Sequence, residues 1–158
     1  MDTEDIFQMV RLKEPQALVY LNDKDIVNLT NFENQSLLQE AIAYKNQAAI
    51  DKLLDAELNI DHQDKVGRSA LHSCVTHDDL TTLLGLIDKG ININLRDTHG
   101  NEALWTAVLK PKVNYEIVST LVANGSDVSH ENIHGRSPMM MAKTKNNEKM
   151  IKLLELGI

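Results

Sequence analysis

The sequence predicts an all-α solenoid of stacked antiparallel helix pairs joined by short hairpin loops, and three observations predict it. A segment rich in turn residues recurs at 33-residue steps along the 158-residue chain. An aliphatic block with the i, i+3, i+4 spacing of one helical face follows each copy. Aromatic residues make up only 4% of the chain, so the interior must be built from Leu, Ile, Val, Ala and Met. That supply suits thin helical layers better than one thick core.

The clearest copy of the first segment is Asp64-Lys65-Val66-Gly67-Arg68-Ser69-Ala70-Leu71-His72-Ser73-Cys74. It returns at Asp97–Ala107, and an earlier copy spans Asn31–Ala41. The fourth copy, Asn132–Ala142, starts two residues late, which places a two-residue insertion in the third repeat near Lys110-Pro111-Lys112. The aliphatic blocks are Ile50-x-x-Leu53-Leu54, Leu83-x-x-Leu86-Ile87, Val118-x-x-Leu121-Val122 and Met150-x-x-Leu153-Leu154. Glu57, Gly90, Gly125 and Gly157 follow them, and a glycine there takes the left-handed conformation that ends a helix. Short turns with one aliphatic come next, as in Asn59-Ile60-Asp61, Asn92-Ile93-Asn94 and Asp127-Val128-Ser129.

Taken in chain order, residues 1–30 read as an N-terminal capping repeat within a single domain of 1–158. Ile6, Phe7, Met9 and Val10 suit one short helix, and Pro15 can open a second containing Ala17, Leu18 and Leu21. Residues 31–63, 64–96 and 97–131 are internal repeats, and 132–158 is the C-terminal cap. Terminal units are expected to deviate because one face meets water. Ser36, Ser69 and Ser137 stand where a hydroxyl caps the first helix; Glu102 stands there in the third repeat, which predicts a poorer cap. Gly67, Gly100 and Gly135 serve a tight turn before that helix, and Asn34 is the next most tolerant residue in a left-handed conformation. Ala41, Cys74, Ala107 and Ala142 are small enough to let helices pack closely. None of these helices is long enough to be stable alone, so burial between neighbours must hold them.

The pattern resembles the ankyrin repeat, whose signature runs D-x-x-G-x-T-P-L-H-x-A and then V-x-x-L-L-x-x-G-A-D-V-N. The resemblance covers residues 31–158 in four coincident copies. Departures are visible: Pro138 is the only retained proline, His72 the only retained histidine, and Glu57 replaces a helix-ending glycine. The resemblance implies loops that project as β-hairpin fingers, and His72 hydrogen-bonded within the stack. It also implies a non-catalytic module that holds a partner protein at its fingertips and on the concave face of its first helices. Mapped onto this chain, that face takes Phe32, Glu33 and Gln35 from repeat one, and Lys65, Val66 and Arg68 from repeat two. Repeat three gives Thr98, His99 and Asn101; repeat four gives Ile133, His134 and Arg136. Tyr44, Thr76, His77 and Lys110 join them at the ends of the first helices. Trp105, which replaces the signature histidine, is the expected hot spot, since tryptophan is enriched where interfaces concentrate their energy.

Charge narrows the partner. Residues 1–79 hold 7 Lys/Arg against 15 Asp/Glu, a balance of −8, whereas residues 80–158 hold 9 against 8. An acidic front half argues against nucleic acid, whose non-specific binders neutralise phosphates, and favours a basic protein through steering. A bacterial immunity or antitoxin protein facing a basic toxin is one version of that reading. A host-directed effector, or a regulatory piece of a larger protein, is another. The acidic Met-Asp-Thr-Glu-Asp start and the lack of a long apolar run point to a monomeric, cytoplasmic protein away from membranes.

Searching for chemistry gives little. Cys74 stands alone, so neither a disulfide nor a cysteine zinc site forms within the chain, and its small-residue position reads as an inert core thiol. His130-Glu131-Asn132-Ile133-His134 matches the H-E-x-x-H zinc pattern, which needs a helix to bring both imidazoles to one face. The repeat spacing puts it in a finger instead. Asp78-Asp79 falls in an interhelix turn and is expected to be solvated. With no phosphate loop, nucleophile elbow or dinucleotide fingerprint, the sequence predicts no enzyme, no cofactor and no metal.

Overall fold

The structure is a computed structural model that describes residues 2–157. The N-terminal repeat is α1 (Thr3–Arg11), α2 (Ala17–Tyr20) and α3 (Lys24–Val27). Four helix pairs follow: α4 (Leu37–Ala43) with α5 (Gln47–Leu54), α6 (Ala70–His77) with α7 (Leu80–Asp88), α8 (Ala103–Leu109) with α9 (Tyr115–Ala123), and α10 (Pro138–Thr144) with α11 (Glu148–Leu154). A 3₁₀ turn, Glu155–Gly157, closes the described chain. Two layers result. The first helices pack in the order α1, α4, α6, α8, α10, and the second in the order α2, α5, α7, α9, α11.

One apolar seam runs between the layers, from Ile6, Phe7 and Val10 through Leu37, Leu71 and Leu104 to Met139, Met150 and Leu154, all buried. Ala41, Cys74, Ala107 and Ala142 lie inside it, where a larger side chain would push the layers apart. Burial raises the Cys74 thiol well above its ordinary range, which keeps it protonated and unreactive. At the N-terminal end, Arg11 reaches from α1 to the buried carboxylate of Glu40 on α4, so the first two repeats share an ion pair as well as the seam.

Two of the three expected serine caps form, while the Ser69 hydroxyl meets His72 Nδ1 at 3.0 Å. Ser36 accepts from the N–H of Gln39 at 3.2 Å, and Ser137 from that of Met140 at 3.2 Å. Glu102 makes no such bond. Second helices use a rule that the sequence reading passed over: each opens on an Asn or Asp whose carboxyl or amide oxygen accepts a helical N–H. The four are Asn46 to Ala49 (3.2 Å), Asp79 to Thr82 (3.0 Å), Asn114 to Ile117 (3.4 Å) and Asn147 to Met150 (3.0 Å). Asp79 is therefore a helix cap, and Asp78 pairs with Lys110 at 2.7 Å; neither is the free solvated carboxylate expected.

Those caps correct the spacing of the last repeat. Counting from Asn147, the position of Ile50, Leu83 and Val118 falls on Ile151 rather than Met150, and that of Leu53, Leu86 and Leu121 falls on Leu154. Met150 and Leu154 are buried while Ile151 and Leu153 are only half-buried. Gly157 consequently lies one residue short of the helix-ending position. Gly90 and Gly125 have φ of +83° and +89°, as expected of a left-handed stop, whereas Gly157 sits in the 3₁₀ turn against Val122 Cγ1. At the other end, residues 1–30 differ in detail: Pro15 lies in the turn before α2, and the second helix is split by Asp23, which caps α3.

The fingers are loops rather than β-hairpins. Among the described residues there is only one isolated bridge, Thr30 to Ser36. Each finger is five residues long and closed by its first side chain: Asp64 Oδ1 accepts the N–H groups of Val66 (3.0 Å) and Arg68 (2.9 Å). Asn31, Asp97 and Asn132 repeat the arrangement. An Asx side chain that takes these donors leaves no room for a strand ladder. The fourth residue of each finger is left-handed, with φ of +57° at Asn34, +76° at Gly67, +75° at Gly100 and +64° at Gly135.

Candidate interaction face

The fingers are tied to one another by backbone. Lys65 N–H donates to Glu33 O at 3.1 Å, Thr98 N–H to Val66 O at 3.0 Å, and Ile133 N–H to His99 O at 3.0 Å. Each fingertip is thus held by its neighbour through backbone bonds that do not involve the tip side chains. Phe32 is 84% exposed, Val66 46% and Ile133 66%. Glu33, Lys65, Thr98, His99 and His134 are exposed beside them. Lys65 Nζ stands 3.8 Å above the Phe32 ring, a cation–π contact that steadies the first tip. The five-residue fingers also place Arg68 and Arg136 at their inner ends, both exposed, whereas Gln35 and Asn101 are half-buried and hydrogen-bonded.

Behind the tips, the first helices of repeats two and three form a cleft of ≈ 440 Å³. Arg68, His72, Thr76, His99, Asn101, Trp105 and Lys110 line it, so six residues of the predicted face converge here together with His72. Tyr44, exposed at the end of α4, and the Phe32 and Ile133 fingers lie outside this cleft.

Trp105 owes its position to a broken pattern. In repeats one and two the corresponding side chain makes two bonds. Gln39 Oε1 accepts the Ser36 N–H at 2.9 Å, and its Nε2 donates to Arg68 O at 2.9 Å. His72 Nδ1 accepts the Ser69 N–H at 3.2 Å, which leaves Nε2 as the protonated nitrogen donating to Asn101 O at 3.1 Å. Burial lowers the His72 pKa and keeps the ring neutral. Trp105 has no acceptor to offer the helix start, and its half-buried indole faces the cleft instead.

Lys110 is committed elsewhere. Its ammonium donates to Val75 O (2.8 Å) and Thr76 O (3.2 Å) and pairs with Asp78 (2.7 Å). It closes the C-terminal end of α6, where a cation suits the exposed carbonyls. His77 sits half-buried nearby, and burial, with Lys45 and Lys110 adding to it, lowers its pKa.

Several carboxylates of the acidic front half are engaged away from this face. Asp55 and Glu57, at the end of α5, pair with Lys89 and Lys24. Asp2 and Asp23 cap α1 and α3, and Asp61 accepts the N–H of Asn92. Glu33 is the one front-half carboxylate exposed at a fingertip among the described residues. This segregation is invisible to a count of charges along the chain.

His130 and His134 lie in the fourth finger and the loop before it, not on a helix, and His130 Nε2 is 3.1 Å from Gly100 O. No group of three His, Cys, Asp or Glu side chains converges as a metal site among the described residues. No helix among them is long and apolar enough to cross a membrane.

The family model for ankyrin repeats matches residues 6–97 in three copies, more than half of the chain. The chain belongs to the ankyrin repeat family. The matched span begins in α1, and further helix pairs follow it along the described chain. Ankyrin repeats are in general protein–protein interaction modules and typically carry no catalysis.

Proposed function

We propose that this ankyrin repeat protein is a non-catalytic binding module that holds a partner protein across its fingertips and the first-helix face behind them. One observation carries the reading. The backbone ladder fixes the fingers without using their tip side chains, and three of those, Phe32, Val66 and Ile133, are exposed apolar groups. Apolar residues aligned on a rigid edge and rimmed by polar ones are what a protein interface uses as anchors. The finger-to-finger backbone bonds already order the tips, so binding need not first order them, which preserves affinity.

Co-purification of the tagged chain from its native cell tests this. A stoichiometric protein that is retained by the parent chain and lost with a Phe32→Ala/Ile133→Ala double variant supports the reading. Both positions are solvent-exposed, so the double variant keeps its fold. A partner retained equally by that variant and by Trp105→Ala would move the interface off this face.

A further inference from the structure

The cleft between repeats two and three is selective in the chemistry it leaves open. Its acceptors are engaged: Asp97 Oδ1 takes two finger N–H groups and Oδ2 takes the Asn101 amide at 3.2 Å. Asn101 Oδ1 in turn accepts from Asn132 at 2.8 Å. His72 is bonded through both ring nitrogens, and the Lys110 ammonium has three partners. Besides the Thr106 hydroxyl, which can donate or accept, the groups without a partner are the Arg68 guanidinium, the His99 imidazole and the Trp105 indole N–H. Two are pure donors and the third can donate. An exposed guanidinium beside an indole wall, with no free carboxylate within the cleft, is complementary to a carboxylate carried next to an apolar group.

We infer that this cleft receives an acidic side chain of the partner protein, with Arg68 and the Trp105 N–H binding the carboxylate and the indole face covering the adjacent apolar residue. The inference rests on the protein-binding reading and adds the chemistry of one contact. It also reverses the sign expected from net charge, because Asp55 and Glu57 are ion-paired off this face while Arg68, Lys65 and Arg136 stand on it and Glu33 is the exposed front-half carboxylate at a tip.

A random peptide library displayed on phage and selected on the immobilised full chain tests it. Trp105 is the only tryptophan, so its emission reports binding at the cleft directly. The expected peptides carry Asp or Glu beside a large apolar residue, change Trp105 emission saturably, and bind more weakly as salt is raised. Arg68→Gln is expected to weaken them about tenfold; since the Arg68 side chain makes no internal bond, the variant should melt like the parent. Selected peptides that are neutral or basic, or that bind Arg68→Gln as well as the parent, overturn the acidic contact and leave the protein-binding reading standing. A library that yields no binder overturns both. An oligothymidylate that perturbs Trp105 as strongly as the selected peptides overturns the inference in favour of a nucleic-acid backbone.

Discussion

The Nε2–H of His72 donates to the carbonyl oxygen of Asn101 at 3.1 Å, so a ring at the start of one first helix is bonded to the finger of the next repeat. The two bonds together require a neutral imidazole, since Nδ1 must keep its lone pair to accept the Ser69 N–H. Burial holds the folded pKa below 6.5, the ordinary histidine value. As pH falls through about 6.5 the unfolded chain takes up a proton that the folded ring refuses. Stability present above that pH is therefore lost as pH falls on through the folded pKa. Gln39 makes the same two bonds without titrating, so His72→Gln should keep the fold and flatten the decline. Urea unfolding at a series of pH values measures it; the slope that remains belongs to His77, whose pKa is lowered in the same sense.

Glu102 should be a liability at neutral pH. It is 2% exposed, its Oε1 meets Arg96 at 3.2 Å, and its Oε2 has no partner. Burial raises its pKa above 4.5, so its favourable contribution is complete below 4.5 and is lost as pH rises through the folded value. Glu102→Ser, which restores the residue found in the other three repeats, is expected to add about 1 kcal/mol at neutral pH. The gain should shrink in acid. A substitution that leaves the neutral-pH midpoint unchanged would show the lone oxygen to be satisfied.

Lys110 is predicted to act in stability rather than in binding. Lys110→Met removes the cap on Val75 O and Thr76 O while keeping most of the side-chain volume. A loss of about 1–2 kcal/mol is expected in denaturant unfolding, with partner affinity unchanged once the folded fraction is allowed for.

Two glycines with nearly equal backbone angles should respond differently to alanine. At Gly90 a Cβ meets nothing within 4 Å, so Gly90→Ala costs only the left-handed penalty of about 1 kcal/mol. At Gly67 a Cβ would stand 2.9 Å from Asp97 Cα, in the next finger. Gly67→Ala should cost several-fold more and disturb the Thr98-to-Val66 bond. Equal midpoints for the two variants would rule out close contact between the fingers.

The stack was legible because a repeat states its register several times over: Gly67, Gly100 and Gly135 confirm one another, and so do Ser36, Ser69 and Ser137. The last repeat misled because Met150, Leu153 and Leu154 offer two aliphatic alignments one residue apart. Asn147 resolves them, and the caps Asn46, Asp79 and Asn114 stood in the sequence at matching positions. The resemblance suggested a face but not its charge. Asp55, Glu57 and Asp61 are close in sequence to the fingers yet packed on another edge, and only the folded chain separates them. Lys110 was expected on the face, and its bonds to Val75 O and Thr76 O are contacts that the sequence does not specify.

The bonds from Lys65 to Glu33, Thr98 to Val66 and Ile133 to His99 make the finger row a comb of fixed pitch. Its teeth are set by the distance between packed helices, about 10 Å, while an extended segment advances about 3.3 Å per residue. A strand laid along the comb would meet a new tooth at roughly every third residue. What the fingers measure in such a ligand is spacing, and a guest with the right side chains at the wrong interval would slip between them.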